Sequence, residues 1–271
     1  MSANTGKRPQ VSLFSKMPIK WIQDGELVKF GNRPTPTAEK TLKLQNGSIA
    51  ALKLYMTLCI KATFGTGEVN TTYNKLIALS GMSRPVIARA LKRLVEEGLI
   101  TKKSQSLCEG SSIYINGWLE QSYYGMLPKR WLHDDKGMTI MKLIDFNYST
   151  VSLYALKVYL VLIGFRDRNR NGLAVISYNA ISRYTGVPKY RVAEAITKLY
   201  DMNLISYRQA VFTDINEDEI DRTNRYLVKG LNITWTSLNQ PSMGAKSVGP
   251  KKPSERAINA ANAFASGGRT L

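Results

Sequence analysis

The chain has 271 residues, 44% of them hydrophobic, with 38 Lys and Arg against 20 Asp and Glu for a net charge of +18. That length and apolar content suffice for one large or two ordinary folded domains and exclude a wholly disordered chain. The basic excess points to a polyanionic partner, and it is spread: net +5 over 1–45, +4 over 46–120, +1 over 121–150, +4 over 151–235 and +4 over 236–271.

In chain order, residues 1–15 read as a flexible arm, polar at its start. With no apolar run behind the first ten residues, no signal peptide is expected. Met17-Pro18-Ile19-Lys20-Trp21 opens the first folded segment. Ile49, Leu52, Tyr55, Met56 and Cys59 recur at helical spacing and predict a first helix over about 48–63, ended by Phe64-Gly65-Thr66-Gly67. Glu68-Val69-Asn70 predicts a short strand. Thr71 or Thr72 can cap a second helix that runs to about Ser80. Gly81 makes a turn. Ser83 is placed to cap a third helix, with Pro85 near its first turn, Ile87, Leu91 and Leu94 on its inner face and Gly98 at its end. Leu99–Lys103 and Ser112–Ile115 predict two strands joined by a polar loop.

The pattern then repeats. Leu127-Pro128-Lys129-Arg130-Trp131 resembles the opening segment. Ala51-Leu52-Lys53-Leu54-Tyr55 recurs as Ala155-Leu156-Lys157-Val158-Tyr159, Tyr73-Asn74-Lys75-Leu76 as Tyr178-Asn179-Ala180-Ile181, and Leu99-Ile100 as Leu204-Ile205. The second copy predicts helices over about 152–165 and 188–202 and a Ser177-capped helix between them. Gly186 is its turn, and its strands are Leu173–Ile176, Leu204–Phe212 and Asn224–Val228. In both copies, apolar residues fall five before the turn glycine (Leu76, Ile181), one after (Met82, Val187), six after (Ile87, Val192) and nine after (Ala90, Ala195). That register packs the second helix on the third across a tight turn. The predicted fold is mainly α with small β wings (α+β). A duplication divides it into units 16–120 and 121–235, followed by a disordered basic tail, 236–271, rich in Gly, Pro, Ser and Lys.

This layout resembles the winged helix-turn-helix fold, whose third helix enters the major groove of DNA. The resemblance implies DNA-facing side chains Ser83, Arg84, Arg89, Lys92 and Arg93 in the first unit, and Lys189, Tyr190, Arg191 and Lys198, beside Glu194, in the second. Lys102 and Lys103 in the first wing, and Arg222, Arg225 and Lys229 behind the second, are the expected wing contacts. Arg166, Arg168 and Arg170 are further phosphate candidates. Asp214, Glu217, Asp218, Glu219 and Asp221 make the second wing acidic, so it is expected to face away from phosphate or towards a protein.

Enzyme chemistry finds little support. The single histidine, His133, cannot build a zinc hydrolase or a two-histidine nuclease site, and no phosphate-binding Gly-x-x-x-x-Gly-Lys-Ser/Thr loop is present. His133-Asp134-Asp135 reads as a surface turn. Cys59 and Cys108 fit neither a disulfide framework nor a zinc spacing, which suggests a reducing, cytoplasmic setting. No cofactor, metal or membrane is expected. Trp21 and Trp131 hold equivalent positions in the two units, which favours core packing over base stacking.

Two such units in a basic chain of this size are similar to the replication initiators of theta-replicating plasmids. The individual segments also resemble GntR- and MarR-type regulators and phage replisome organisers. The resemblance to initiators implies sequence-specific binding to repeated or palindromic duplex sites, a homodimeric form, and host replication or transcription proteins as partners. A transcriptional repressor, and a protein-interaction or RNA-binding module, are the alternative readings.

Overall fold

Short alternation, glycine turns and two strongly apolar stretches account for most of the elements. The computed structural model describes residues 12–31, 37–103, 111–120, 124–167, 172–208 and 224–231, all within a single compact unit. The chain enters through β1 (Ser15–Pro18), which ends at a proline that cannot extend a ladder. α1 (Lys20–Gln23) follows. Gly25, at φ +80°, then turns the backbone into a 3-10 turn, Glu26–Lys29.

α2 (Ala38–Lys61) is long and carries the first half of the core. It begins at Ala38 rather than near Ser48, because polar interactions extend the helix beyond its apolar stretch. Glu39 pairs with Lys43 across one turn at 2.6 Å. Gln45 accepts from Thr150 Oγ1 at 2.8 Å and donates to the Tyr148 carbonyl at 3.3 Å.

β2 (Glu68–Thr71), α3 (Tyr73–Ser80), α4 (Arg84–Glu96), β3 (Ile100–Lys102) and β4 (Ser111–Ile115) complete the first half. Thr72 caps α3 by accepting from the Lys75 amide. Gly81 closes α3 at φ +66°, a left-handed conformation that glycine adopts without a Cβ penalty. Ser83 takes the extended N-cap position of α4, but its hydroxyl makes no capping bond. The expected cap is therefore positional only, and the hydroxyl is left on the exposed side. The three strands form an antiparallel sheet in the order β2-β4-β3.

The second half runs through β5 (Tyr124–Leu127), α5 (Lys129–Leu132), α6 (Met141–Ile144) and α7 (Thr150–Gly164). It continues through β6 (Arg166–Asp167), β7 (Leu173–Val175), α8 (Tyr178–Thr185), α9 (Lys189–Asp201), β8 (Ile205–Arg208) and β9 (Arg225–Val228). Ser177 caps α8 through the Ala180 amide at 3.2 Å, and Gly186 closes it at φ +67°. The sheet order is β6-β7-β9-β8, so the strand before the paired helices again lies beside the last strand of its half. β5 pairs not with this sheet but with β1, antiparallel.

The protein is thus a mixed helix-and-strand fold with small antiparallel sheets. Its hydrophobic core is continuous, drawing Tyr55, Ile87 and Leu94 from one half and Tyr159, Val192 and Leu199 from the other. α2 and α7 pack against each other at its centre. All eight apolar positions registered on the turn glycines (Leu76, Met82, Ile87, Ala90, Ile181, Val187, Val192 and Ala195) are buried. Trp21 points inward, where Nε1 donates to Pro18 O and Tyr55 Oη, both at 3.1 Å. Trp131 donates to Asn203 O at 2.8 Å and lies against Gly230, where a Cβ would come within 2.2 Å of the tryptophan. Trp21 is buried in the core, and Trp131 is half-buried against it.

Candidate nucleic-acid interface

α4 and α9 each follow a shorter helix across a glycine turn, and each buries one apolar stripe. The residues between those stripes are forced outward. On α4 the outward set is Arg84, Arg89 and Lys92, with Ser83 at its start. The Arg84 guanidinium lies 4.9 Å over the Tyr73 ring, a stacking that holds the planar group near the α3–α4 turn. Lys92 is exposed and faces Glu96 at 3.8 Å, an ion pair too solvated to hold it firmly.

Arg93 departs from the expected set. Its guanidinium turns inward, donating to Ser48 Oγ at 2.9 Å, Lys29 O at 3.0 Å and Leu44 O at 3.5 Å, over the Phe30 ring at 5.0 Å. Burial holds its pKa below the ordinary arginine value, with the nearby Glu97 and Glu96 acting in the opposite sense. Arg93 lies three residues beyond buried Ala90, at the edge of the inner face, and α2 with the 3-10 turn closes over it. It belongs to the scaffold and is not a free contact for DNA.

On α9, Lys189 is exposed and Tyr190 is 82% exposed, an unusual position for a large aromatic ring. Arg191 is half-buried and pairs with Glu194 at 3.0 Å, which lowers the charge that this helix presents. Lys198 is half-buried. Of the residues expected in the wings, Lys102 and Lys103 are exposed. The Lys103 ammonium sits 4.8 Å over Tyr114, and its backbone N–H closes on Ser112 O. Close by, Glu68 accepts hydroxyl hydrogen bonds from Ser112 at 2.7 Å and Tyr114 at 2.9 Å. These bonds, and more weakly Lys103, hold its carboxyl below the usual glutamate range.

Arg225 is exposed on β9, directly across the ladder from Arg208. Arg208, and Arg183 on α8 with its guanidinium 4.9 Å from the Tyr184 ring, are basic groups that sequence reasoning passed over. The cross-strand register that sets Arg208 opposite Arg225 has no local signature. Arg166 donates from Nε to Gly172 O at 2.9 Å and so staples the β6–β7 hairpin. Arg168, Arg170, Arg222, the acidic segment 214–221, Cys108 and the tail 236–271 lie outside the described residues.

His133 is half-buried at the end of α5, with Nδ1 2.7 Å from Lys129 O, and burial depresses its pKa. Asp134 accepts the backbone N–H groups of Met138 and Thr139, which lowers its pKa and closes a turn. Among the described residues no group of three or more His, Cys, Asp or Glu is placed to hold a metal ion, and no helix is long and apolar enough to cross a membrane.

The arrangement can present two short basic helices to a polyanion from one continuous core. Compared with protein-family models, with curated proteins and with solved structures, the chain matches none.

Proposed function

We propose that the chain is a sequence-specific double-stranded DNA-binding protein built from two winged-helix units, and that it acts as an initiator of plasmid or phage replication. The observation that carries the reading is the exposed, basic face of α4, with Ser83, Arg84, Arg89 and Lys92 behind a glycine turn, matched at the same place by Lys189 and Tyr190 on α9. An α-helix presented in this way fits the major groove. Arginine there can contact guanine through two hydrogen bonds, and lysine neutralises phosphate. The shared order of helices and strands in the two halves, each with a small sheet beside the paired helices, favours the winged-helix assignment. The resemblance to plasmid initiators in size, charge and duplicated layout favours replication over other uses of DNA binding.

Mobility shifts on duplex DNA from around the gene test the reading. Affinity should fall linearly on a log–log plot against salt, because each neutralised phosphate releases counterion. Footprinting of the same DNA should protect repeated sites, and replication of a plasmid carrying them should depend on this protein. One protected operator over the promoter would make the protein a repressor. Absence of salt-dependent duplex binding would sink the DNA reading and move a protein- or RNA-binding module ahead.

A further inference from the structure

The two halves are joined by exchange. β1 and β5 belong to equivalent segments, Met17 matching Leu127 and Trp21 matching Trp131. Their ladder pairs Ser15 with Leu127, Lys16 with Met126 and Met17 with Gly125. Lys16 therefore faces its own equivalent, while Ser15 and Met17 each face the equivalent of the other. Swapping the halves maps the ladder onto itself, which is the signature of a two-fold axis through the Lys16–Met126 pair.

The packing repeats the signature elsewhere. Leu27-Val28 and Phe30 of the first half correspond to Leu143-Ile144 and Phe146 of the second. Val28 lies on Gly186, where a Cβ would come within 3.3 Å of it, and Ile144 lies on Gly81, at 3.0 Å. Each segment thus covers the turn of the opposite half. Each also holds a helix of its own half: Lys29 O accepts from Arg93 on α4, and Lys142 donates to Met202 O at the end of α9. The equivalent helices α2 and α7 meet at the centre.

We infer that one chain reads two half-sites in inverted orientation, an imperfect palindrome, rather than two half-sites in direct repeat. The inference rests on the DNA-binding reading above. Readers related by a two-fold axis meet the groove equivalently only where the DNA has a matching dyad. Readers of a direct repeat must instead be related by translation along the duplex. The shared core fixes the separation, so half-site centres should lie about 10 bp apart or a multiple of that. The palindrome is imperfect because the readers differ. α4 turns two arginines outward, Arg84 and Arg89, whereas α9 turns out Lys189 and Tyr190, with Arg191 half-buried beside them. The half-site under α4 is the more guanine-dependent of the two.

Selection of the full-length chain on a random duplex pool, followed by native mass measurement and mobility shifts on the selected duplex, tests the inference. The expected result is two half-sites in inverted orientation, one chain per duplex, and at least about a ten-fold loss of affinity when one half-site is reversed. A direct-repeat consensus, affinity unchanged by the reversal, or a requirement for two chains would overturn it while leaving DNA binding intact. No salt-dependent duplex binding at all would overturn the DNA reading and this inference together.

Discussion

α4 and α9 hold the same place in two halves that share an element order, yet they differ in what they hold outward. α4 commits one arginine, Arg93, to the scaffold and keeps Arg84, Arg89 and Lys92 outside. α9 pairs Arg191 with Glu194 and exposes a tyrosine beside Lys189. Two halves with a shared element order can therefore keep the same core register while their outward chemistry differs, because burial constrains only one face of each helix.

The sharpest way to break the comparison is to strip each helix in turn. Replacing Arg84 and Arg89 together with Ala should weaken duplex binding by about 1–3 kcal/mol for each arginine that reads a base. The parallel Lys189→Ala and Arg191→Ala pair should cost less, since only one of its two residues is an arginine able to take guanine through two hydrogen bonds. Fluorescence anisotropy at one fixed salt concentration compares the two directly. An equal or larger loss from the α9 pair would reverse the assignment of the stronger reader.

The buried lysines offer a second comparison. Lys53 and Lys157 are equivalent, and both are almost fully buried. Lys53 donates to Phe146 O at 3.1 Å and is pushed down to about 8 by burial, with Asp145 pulling the other way. Lys157 is pushed down to about 7 by burial and then by the like charge of Arg93. Between about pH 7 and the ordinary lysine value of 10.5, the unfolded chain binds a proton that folded Lys157 has released. Stability therefore rises with pH across that window and is flat below it. Lys157→Met should stabilise the fold by about 1–4 kcal/mol at or below pH 7, with the gain shrinking towards pH 10. Lys53→Met should gain less, because it strips the Phe146 carbonyl of its donor. Urea unfolding at several pH values reads both, and a pH-independent gain for Lys157→Met would remove the burial explanation.

Arg93 and Lys198 separate scaffold from surface at equivalent positions. Arg93→Ala leaves Ser48 and the Lys29 carbonyl without their donor and removes the cover over Phe30. It should cost about 1–3 kcal/mol of stability while the salt dependence of DNA binding is kept. Lys198→Ala should do the reverse, changing stability by no more than about 0.5 kcal/mol and lowering the salt slope by about one. Loss of salt slope on removing Arg93 would return that residue to the DNA surface.

The elements that could be read from the sequence are those with a local cause. The glycines at 81 and 186 and the apolar residues registered on them mark both pairs of short helices, and Thr72 and Ser177 cap where a hydroxyl precedes a helix. What could not be read depends on partners far along the chain. Nothing near Ser15 signals that it pairs with Leu127, and nothing near Val28 signals that it covers Gly186. Arg93 illustrates the same limit within the candidate site. Its helix and its charge are evident, but its direction is decided by Ser48 and Lys29, 45 and 64 residues away. The added turns of α2 were hidden because a polar Glu39–Lys43 pair, rather than an apolar stripe, supports them.

The exchanged contacts give the smallest effect and the most specific one. Gly81 and Gly186 both sit in the left-handed region, so alanine at either should cost about 1–2 kcal/mol from the backbone alone. The side-chain part depends on the opposite half, with Ile144 above Gly81 and Val28 above Gly186. Gly81→Ala combined with Ile144→Ala should therefore be less destabilising than the sum of the two, by about 0.5 kcal/mol or more, because the second change makes room for the new methyl group. Gly186→Ala with Val28→Ala should behave alike. The pairs within one half, Gly81 with Val28 and Gly186 with Ile144, should add, because the atoms nearest each glycine belong to the opposite half. Coupling within a half and additivity across the halves, measured by urea unfolding, would mean that each segment covers its own turn, and the two-fold exchange would fall with it.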